Sequence, residues 1–384
     1  MRCARSEHLK DAVALFPDDD DYVRSEPSSA RAERRGSSIG WVLITVAIAG
    51  AVVLGLLPAP YVIERPGPVF DTLGEVTLED GTEQAVIEIS GAPTYPTDGE
   101  LNLLTVLVTG SREMPPSWIE VATAWFQSSR AVVPIDAVFP DGQTDEEADE
   151  ESAAEMANSQ QEAVAAAFEE LDIAYQVIVN GVIEGSPADG VLEVGDRLVS
   201  ANGTPIEGIT DLRQAIAENG TDRAMSLAVG RAGRQLVLSV TPVPASADDP
   251  TPIIGIQGGY EFPFEVTIRL ENVGGPSAGT MFALAVYDKL TEGPLTGGLV
   301  VAGTGTIRAD GTVGPIGGIR QKMYGALDAG ATVFLAPESN CDEVTGHIPD
   351  GLAVYAVATL DDALEIVETV SADGATSELQ TCPA

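Results

Sequence analysis

Residues 39–57 read IGWVLITVAIAGAVVLGLL, 19 residues without a charge. A helix needs about 20 such residues to cross the hydrocarbon core of a bilayer, and few soluble cores accept so long an apolar run. One transmembrane helix, 39–57, is therefore expected. Arg24, Arg31, Arg34 and Arg35 precede it, whereas Arg65 is the only basic residue close behind. Basic flanks stay in the cytoplasm, so everything after Pro58 is expected outside the cell, in a single-pass cell-membrane protein. The competing reading is a cleaved signal peptide ending near Pro58-Ala59-Pro60, against which stand the long apolar core and the extended tail before it. In that tail, residues 1–38, positions 18–21 are all Asp and large apolar residues are few, so disorder is expected.

The formal charge is −39, from 59 acidic against 20 basic residues. Nucleic-acid binding needs clustered Lys and Arg, and no such cluster follows the N-terminal tail, so no nucleic-acid partner is expected. The lysines are only Lys10, Lys289 and Lys322, and the histidines only His8 and His347. No Cys or His pair has metal-ligand spacing, and no metal or cofactor is expected. Cys3 in the tail reads as a reduced thiol. Cys341 and Cys382, on the outer side, can pair in an oxidising environment. Closing that loop of about 41 residues would contribute roughly 4 kcal/mol through loop entropy, two separate thiols being the alternative.

Beyond the span, residues 76–78, 85–89 and 101–109 are short apolar or β-branched runs separated by Gly, Pro and Asp, as strands and turns are. An acidic run at 145–151 leads into SAAEMANSQQEAVAAAFEEL, whose spacing predicts a helix of about five turns. Residues 175–244 then alternate strands and turns around VIEGSPADGVLEVGDRLVSANGTPI. Gly185-Ser186-Pro187-Ala188, Val194-Gly195-Asp196-Arg197-Leu198, Asn202-Gly203 and DLRQAIAENG, closed by Gly220, together resemble a bacterial PDZ domain with its groove helix. Such a domain implies an extended peptide added as a strand beside that helix, often with its C-terminal carboxylate on loop amides. Upstream, where a Gly-Φ-Gly-Φ loop is expected, stands YQVIVNGV, so carboxylate capture stays open. A spacer or regulatory lid is the alternative role.

Further on, VTIRL reads as a strand, 274–276 as a tight turn and 277–290 as an amphipathic helix. Ser277 is thus expected at a helix N-terminus, where unpaired amides and the dipole can stabilise an oxyanion. Its hydroxyl needs a base. His8 is expected across the membrane, and His347, in GHIPD, has no evident acidic partner for a triad. Lys289 lies 12 residues further along the same helix, about 18 Å away, and is expected at the surface. Lys322 belongs to a separate Gly-rich element and helix, IGGIRQKMYGALDAG, that could face the serine. As a base it must be neutral, which calls for apolar surroundings.

The segments ENVGGPSAGTMFALAVYDKLT and VAGTGTIRADGTVGPIGGIRQKMYGALDAGATVFLAPESNCDEV resemble the proteolytic domain of Lon over most of residues 264–368. The specific motifs are Gly275-Pro276-Ser277-Ala278-Gly279 and Gly314-Pro315-Ile316-Gly317-Gly318, with Lys322 four residues on. The resemblance implies Ser277 as nucleophile, Lys322 as general base, Gly275 and Ala278 as supports and Thr304 in AGTGT as the group orienting the amine, an ordinary strand residue being the alternative for Thr304. Lon typically has Asp two residues before the Pro, where this chain has Gly274. The variant is similar to membrane-anchored, PDZ-containing Lon-like proteases of Gram-positive bacteria. GELNLLTV and AEMANSQQEAVAAAF look like the first strands and helix of the same domain, which implies that the PDZ module is inserted into it, an independent N-terminal α/β layer being the alternative. No G-x-x-x-x-G-K-[ST] loop occurs, and GTGTIR lacks the third glycine of a dinucleotide fingerprint, so hydrolysis is expected without ATP.

The expected architecture is an α/β (α+β) Lon-type proteolytic domain with an inserted PDZ domain, preceded by one transmembrane helix. Its parts are the tail at 1–38, the span at 39–57, the N-terminal part of the Lon-like domain at 70–171, PDZ at 172–245, the catalytic part at 250–370 and a C-terminal tail at 371–384. The expected function is ATP-independent cleavage of unfolded or membrane-proximal proteins, with protein or peptide partners at the PDZ groove and a homo-oligomeric ring among the implied assemblies. The alternative is a catalytically silent PDZ/Lon-like adaptor at the cell surface.

Overall fold

The computed structural model describes residues 36–77, 81–139, 142, 144–246, 249–270, 273–372 and 374–382. The expected disorder of the tail and the state of Cys3 fall outside them. The described residues fall into two units, one ending at Leu54 and one beginning at Gly55. The apolar run forms helix α1, Gly36–Leu56, of 21 residues. Among the described residues no helix is long and apolar enough to cross a membrane. The expected transmembrane helix is found as a helix, with no membrane crossing shown.

The second unit is built on a mixed sheet. Its strands β1 (Tyr61–Asp71), β2 (Glu100–Thr109) and β3 (Ala131–Pro134) precede the PDZ region, and helix α2 (Trp118–Ala124) lies between the last two. Helix α3 (Asp145–Glu170) follows, 26 residues long, because the acidic run predicted to lie before the helix forms its first turns. Thr144 accepts from the Glu147 amide and Glu147 returns the bond to the Thr144 amide; this capping box, with acidic side chains at the positive helix end, extends the helix upstream.

Strands β4 (Gln176–Val182), β5 (Arg197–Ala201), β6 (Met225–Arg231), β7 (Arg234–Val240) and β8 (Ile256–Glu261) form a second sheet in the order β7-β6-β5-β4-β8. Helix α4 (Ile209–Asn219) packs on it and ends at Gly220 with φ 67°, a left-handed cap that favours glycine. This module has its own core around Val179, Leu198, Leu212 and Leu227, to which Ala165 and Ala309 are added from outside. It enters and leaves on neighbouring strands, with Gln176 opposite Glu261.

After the module come helix α5 (Gly279–Leu290), strand β9 (Val300–Gly303), helix α6 (Ile319–Asp328), strands β10 (Val333–Pro337) and β11 (Ala353–Val357), and helix α7 (Leu360–Ser371). The first sheet runs β11-β10-β9-β2-β1-β3, so strands from both sides of the PDZ region share it. β2, β9, β10 and β11 are parallel, whereas β1 is antiparallel to β2 and β3. Strand alternation sends Leu101, Leu103, Val301, Val333 and Leu335 to a core shared with α3, α5 and α7. Leu104, Ala302, Phe334 and Ala336 point the other way, onto Ile319, Met323 and Ala326 of α6. The helix predicted over 277–290 starts only at Gly279, and it is not amphipathic: residues 279–286 and Asp288 are all buried. It is a central helix, covered by the sheet and by α3.

Candidate active site

β9 pairs with β2 only from Glu100 to Leu103 and ends at Gly303. Beyond that point, among the described residues, no sheet partner lies beside Leu104 of β2 on this side, leaving a gap next to Thr304, whose amide still donates to the Leu335 carbonyl of β10 at 3.1 Å. Through that gap Lys322, on α6 beneath the sheet, reaches Ser277, which precedes α5 above it. The Lys322 amine donates to Ser277 Oγ at 2.8 Å and to Thr304 Oγ1 at 2.9 Å. Thr304 in turn donates to the Ser277 carbonyl at 3.0 Å, a carbonyl that also accepts from the Gly305 amide at 2.9 Å. The three side chains singled out from the sequence are thus in one hydrogen-bonded cluster.

Lys322 is 3% exposed and Thr304 fully buried. Burial alone pushes the lysine amine down, from 10.5 to about 7, because an ammonium loses its hydration without any carboxylate to replace it. His347, weighed as an alternative base, is exposed. Lys289, expected at the surface, is instead half-buried, lying near the Leu73 carbonyl, and burial lowers it while Asp288 and Asp71 raise it.

The turn before Ser277 is held by α3. The Ser152 carbonyl accepts from the Gly275 amide at 3.0 Å, and Ser159 donates to the Pro276 carbonyl at 2.9 Å. Gly275 has φ 80°, a left-handed conformation that favours glycine. A Cβ on Gly274 would lie 2.1 Å from Ser152 Oγ and 2.9 Å from its Cβ, so the acid usual in Lon has no room here while α3 is in place. Ala278, 3% exposed, caps α5. Among the described residues no protein acceptor takes the amides of Ser277 and Ala278, which stand at the positive end of α5 and are available to a developing oxyanion. A cleft of about 490 Å³ opens on the pair, lined by Ser277, Lys322, Gly317, Met156 and the Leu104–Leu107 stretch of β2.

Sequence reasoning did not find Ser152 and Ser159, whose roles depend on α3 lying against the turn, nor Asn340. The Asn340 side chain accepts from the Ile316 amide and donates to the Ile316 carbonyl, both at 2.9 Å, bracing the Gly-rich loop before α6. Next to it Cys341 is joined to Cys382 by a disulfide. In the PDZ module a groove of about 780 Å³ lies between α4 and Ile254–Gly258 of the chain entering β8, walled on one side by Ala157 and Gln161 of α3, with Arg213 its one charged lining residue. The apolar-glycine loop sought upstream thus occurs downstream, as Ile253-Ile254-Gly255-Ile256, and the string PIIGIQG was the signal for it.

Residues 272–369 match the Lon protease (S16) C-terminal proteolytic domain family, and residues 178–231 match the PDZ domain family. The chain is 40% identical over 93 residues to Lon protease 1 of Sorangium cellulosum, covering 23% of this chain and 11% of that protein. It is 36% identical over 120 residues to Lon protease 2 of Herpetosiphon aurantiacus, covering 29% and 14%. The chain therefore spans only a small part of the length of the curated relatives it matches. Among solved structures it is similar to the PDZ domain of an SdrC-like protein from Listeria monocytogenes, at 20% identity and TM-score 0.20, covering 21% of this chain and 85% of that one. By the two family matches and the Lon protease relatives, the chain carries a Lon-type C-terminal proteolytic domain and a PDZ domain.

Proposed function

We propose that this protein is a serine endopeptidase working through a Ser277/Lys322 dyad. The observation that carries the proposal is the 2.8 Å contact between Ser277 Oγ and a buried amine held down to about 7. Near neutral pH a large share of that amine is unprotonated and able to take the serine proton. Thr304 accepts an N–H from the amine, which aims its lone pair at Oγ. Ser277 attacks the substrate carbonyl, and the oxyanion meets the Ser277 and Ala278 amides. Collapse expels the amine product with the proton held by Lys322, leaving an acyl ester on Ser277. Lys322 then takes a proton from water, which hydrolyses the ester.

The finer reading is a membrane-anchored enzyme whose domains face outward and which needs no ATP. Supporting the anchor are the uncharged run of α1 and the arginines before it; at 1.5 Å per residue 21 residues would extend about 32 Å. Supporting independence from ATP is the absence of a phosphate-gripping Gly-Lys loop from these 384 residues. Unfolded or membrane-proximal proteins are the proposed substrates. The α4 groove is proposed to hold an extended segment of them as an added strand on the outer edge of β8, with Arg213 as the partner for a terminal carboxylate. Gln176, Glu261 and the rest of the module would remain a regulatory element if no peptide binds.

The test is cleavage of an unfolded protein by the full chain in detergent without ATP, beside Ser277→Ala and Lys322→Ala. Each variant is expected to lose roughly a thousandfold or more. Equal rates in all three would end the proposal in favour of the silent adaptor.

A further inference from the structure

Helix α2 buries one apolar side and leaves apolar residues exposed beside Glu120 and Thr123 on the other. Its inner side, Val121 and Ala124, is fully buried against Ala59 and Ile63. Its outer side and the turn after it leave Ile119 55%, Trp125 61% and Phe126 90% exposed, with Met114 at 77% just before the helix. An apolar surface of this kind on a globular unit marks a place where something covers it. The chain has three tryptophans, and two of them, Trp118 and Trp125, stand here.

Charge and position narrow what the cover is. Between residues 111 and 136 the charges are Arg112, Glu113, Glu120, Arg130 and Asp136, the last paired with Arg112 at 3.0 Å, in a chain of net −39. This face is therefore close to neutral on a strongly acidic protein, with little of the repulsion that would keep the rest away from anionic headgroups. The Trp118 amide donates to the Leu57 carbonyl at 3.1 Å, the Ala59 amide to the Pro116 carbonyl at 2.8 Å, and Pro58 bridges to Ser117. Leu57 is the last residue of the uncharged run, so α2 is fastened where that run ends. The Ser117–Glu120 capping box and Tyr61, edge-on to Trp118 with ring centroids 5.7 Å apart, fix the helix in that place.

We propose that α2 and the turn through Phe126 dock into a lipid interface, forming an aromatic foot that sets the cleft at a fixed height above the bilayer. Trp and Phe on a neutral face suit the headgroup boundary, where the ring body is dehydrated while the indole N–H stays near water. This inference rests on the reading of α1 as an anchor.

The test uses the full chain in phosphatidylcholine nanodiscs, in two single-tryptophan forms. One keeps Trp125 (Trp41→Phe, Trp118→Phe), and the other keeps Trp41 (Trp118→Phe, Trp125→Phe); Phe at 118 preserves the ring contact with Tyr61. Lipid brominated high in the acyl chain is expected to reduce Trp125 emission about twofold or more, with lower acrylamide quenching than in detergent. Trp41 quenched by the same lipid while Trp125 stays unquenched and open to acrylamide would overturn the foot and leave the anchor standing. Trp125 shielded from acrylamide but untouched by bromine would also overturn it, pointing to a second copy or another protein on this face. A chain that does not elute with the discs would remove both the anchor and the foot.

Discussion

The two ends of α5 each hold a lysine at least half-buried, and only one of them leaves it without a carboxylate. At the N-terminal end Lys322 has two hydroxyls for company, and burial lowers it to about 7. At the C-terminal end burial also lowers Lys289, but Asp288 and Asp71 push back. Asp288 itself is buried, with Oδ1 accepting from the Leu295 amide and Oδ2 without a hydrogen-bond partner. In a protein with 59 acidic residues the scarce thing is a lysine that no carboxylate can see. A neutral-pH base depends on that exclusion as much as on burial.

The largest effect is expected from removing the isolated amine. Lys322→Met should abolish cleavage, by about a thousandfold or more, and at the same time stabilise the fold. The folded pKa of about 7 lies below the ordinary 10.5, so between those values the unfolded chain binds more protons and native stability rises with pH. The penalty of the buried ammonium is full below about pH 7 and gone near 10.5. Urea unfolding should therefore show the methionine variant ahead by about 1–3 kcal/mol at pH 6, with the gain shrinking by pH 10. A variant less stable than the parent at pH 6 would mean that Lys322 is not a strained group.

A smaller effect should follow from giving the first lysine what the second has. Thr304→Asp sets a carboxylate where the hydroxyl now lies 2.9 Å from Nζ. The inflection of the pH–rate curve should move up by about 1–2 units, with cleavage about tenfold or more lower at pH 7 and partly restored near pH 9. An unmoved inflection would separate the observed pH dependence from Lys322. The converse change, Asp288→Asn, should be almost silent: the inflection stays, and the rate at pH 7 holds within about twofold. If it shifts the inflection, the two ends of α5 are coupled and the contrast between them fails.

Much of this centre was legible in the sequence because both of its halves are local. The Gly-Pro-Ser-Ala-Gly turn and the Gly-rich loop before Lys322 each announce a backbone conformation, and the scarcity of lysine and histidine left few bases to weigh. What pairs them is a register, β9 stopping at Gly303 while β2 continues, and no local pattern encodes where a strand loses its neighbour. Lys289 was misjudged for the same reason: a helix turn gives its distance from Ser277 but not the burial that Leu73 and Asp71 bring from elsewhere. The start of α5 was set too early because a small, polar Ser reads as a cap, whereas Gly279 begins the helix under close packing by Ile307 and Ser159. The PDZ loop was sought before its strand, and the fold supplies it after.

A sheet that draws strands from both sides of the PDZ module also constrains the order of events in folding. β2 lies beside β9, and Leu101 is paired with Val301, 200 residues later. Loop-closure entropy and the speed of folding both weigh against pairings that distant. The module shortens the problem: once its core forms, Gln176 and Glu261 are neighbours and about 85 residues drop out of the loop to be closed. On a chain made from its N-terminus, the sheet cannot be completed until β11 arrives, nor the dyad assembled until α6 has been made. Catalytic competence is thus acquired late, and a chain that stops short of Lys322 cannot cut its neighbours or itself.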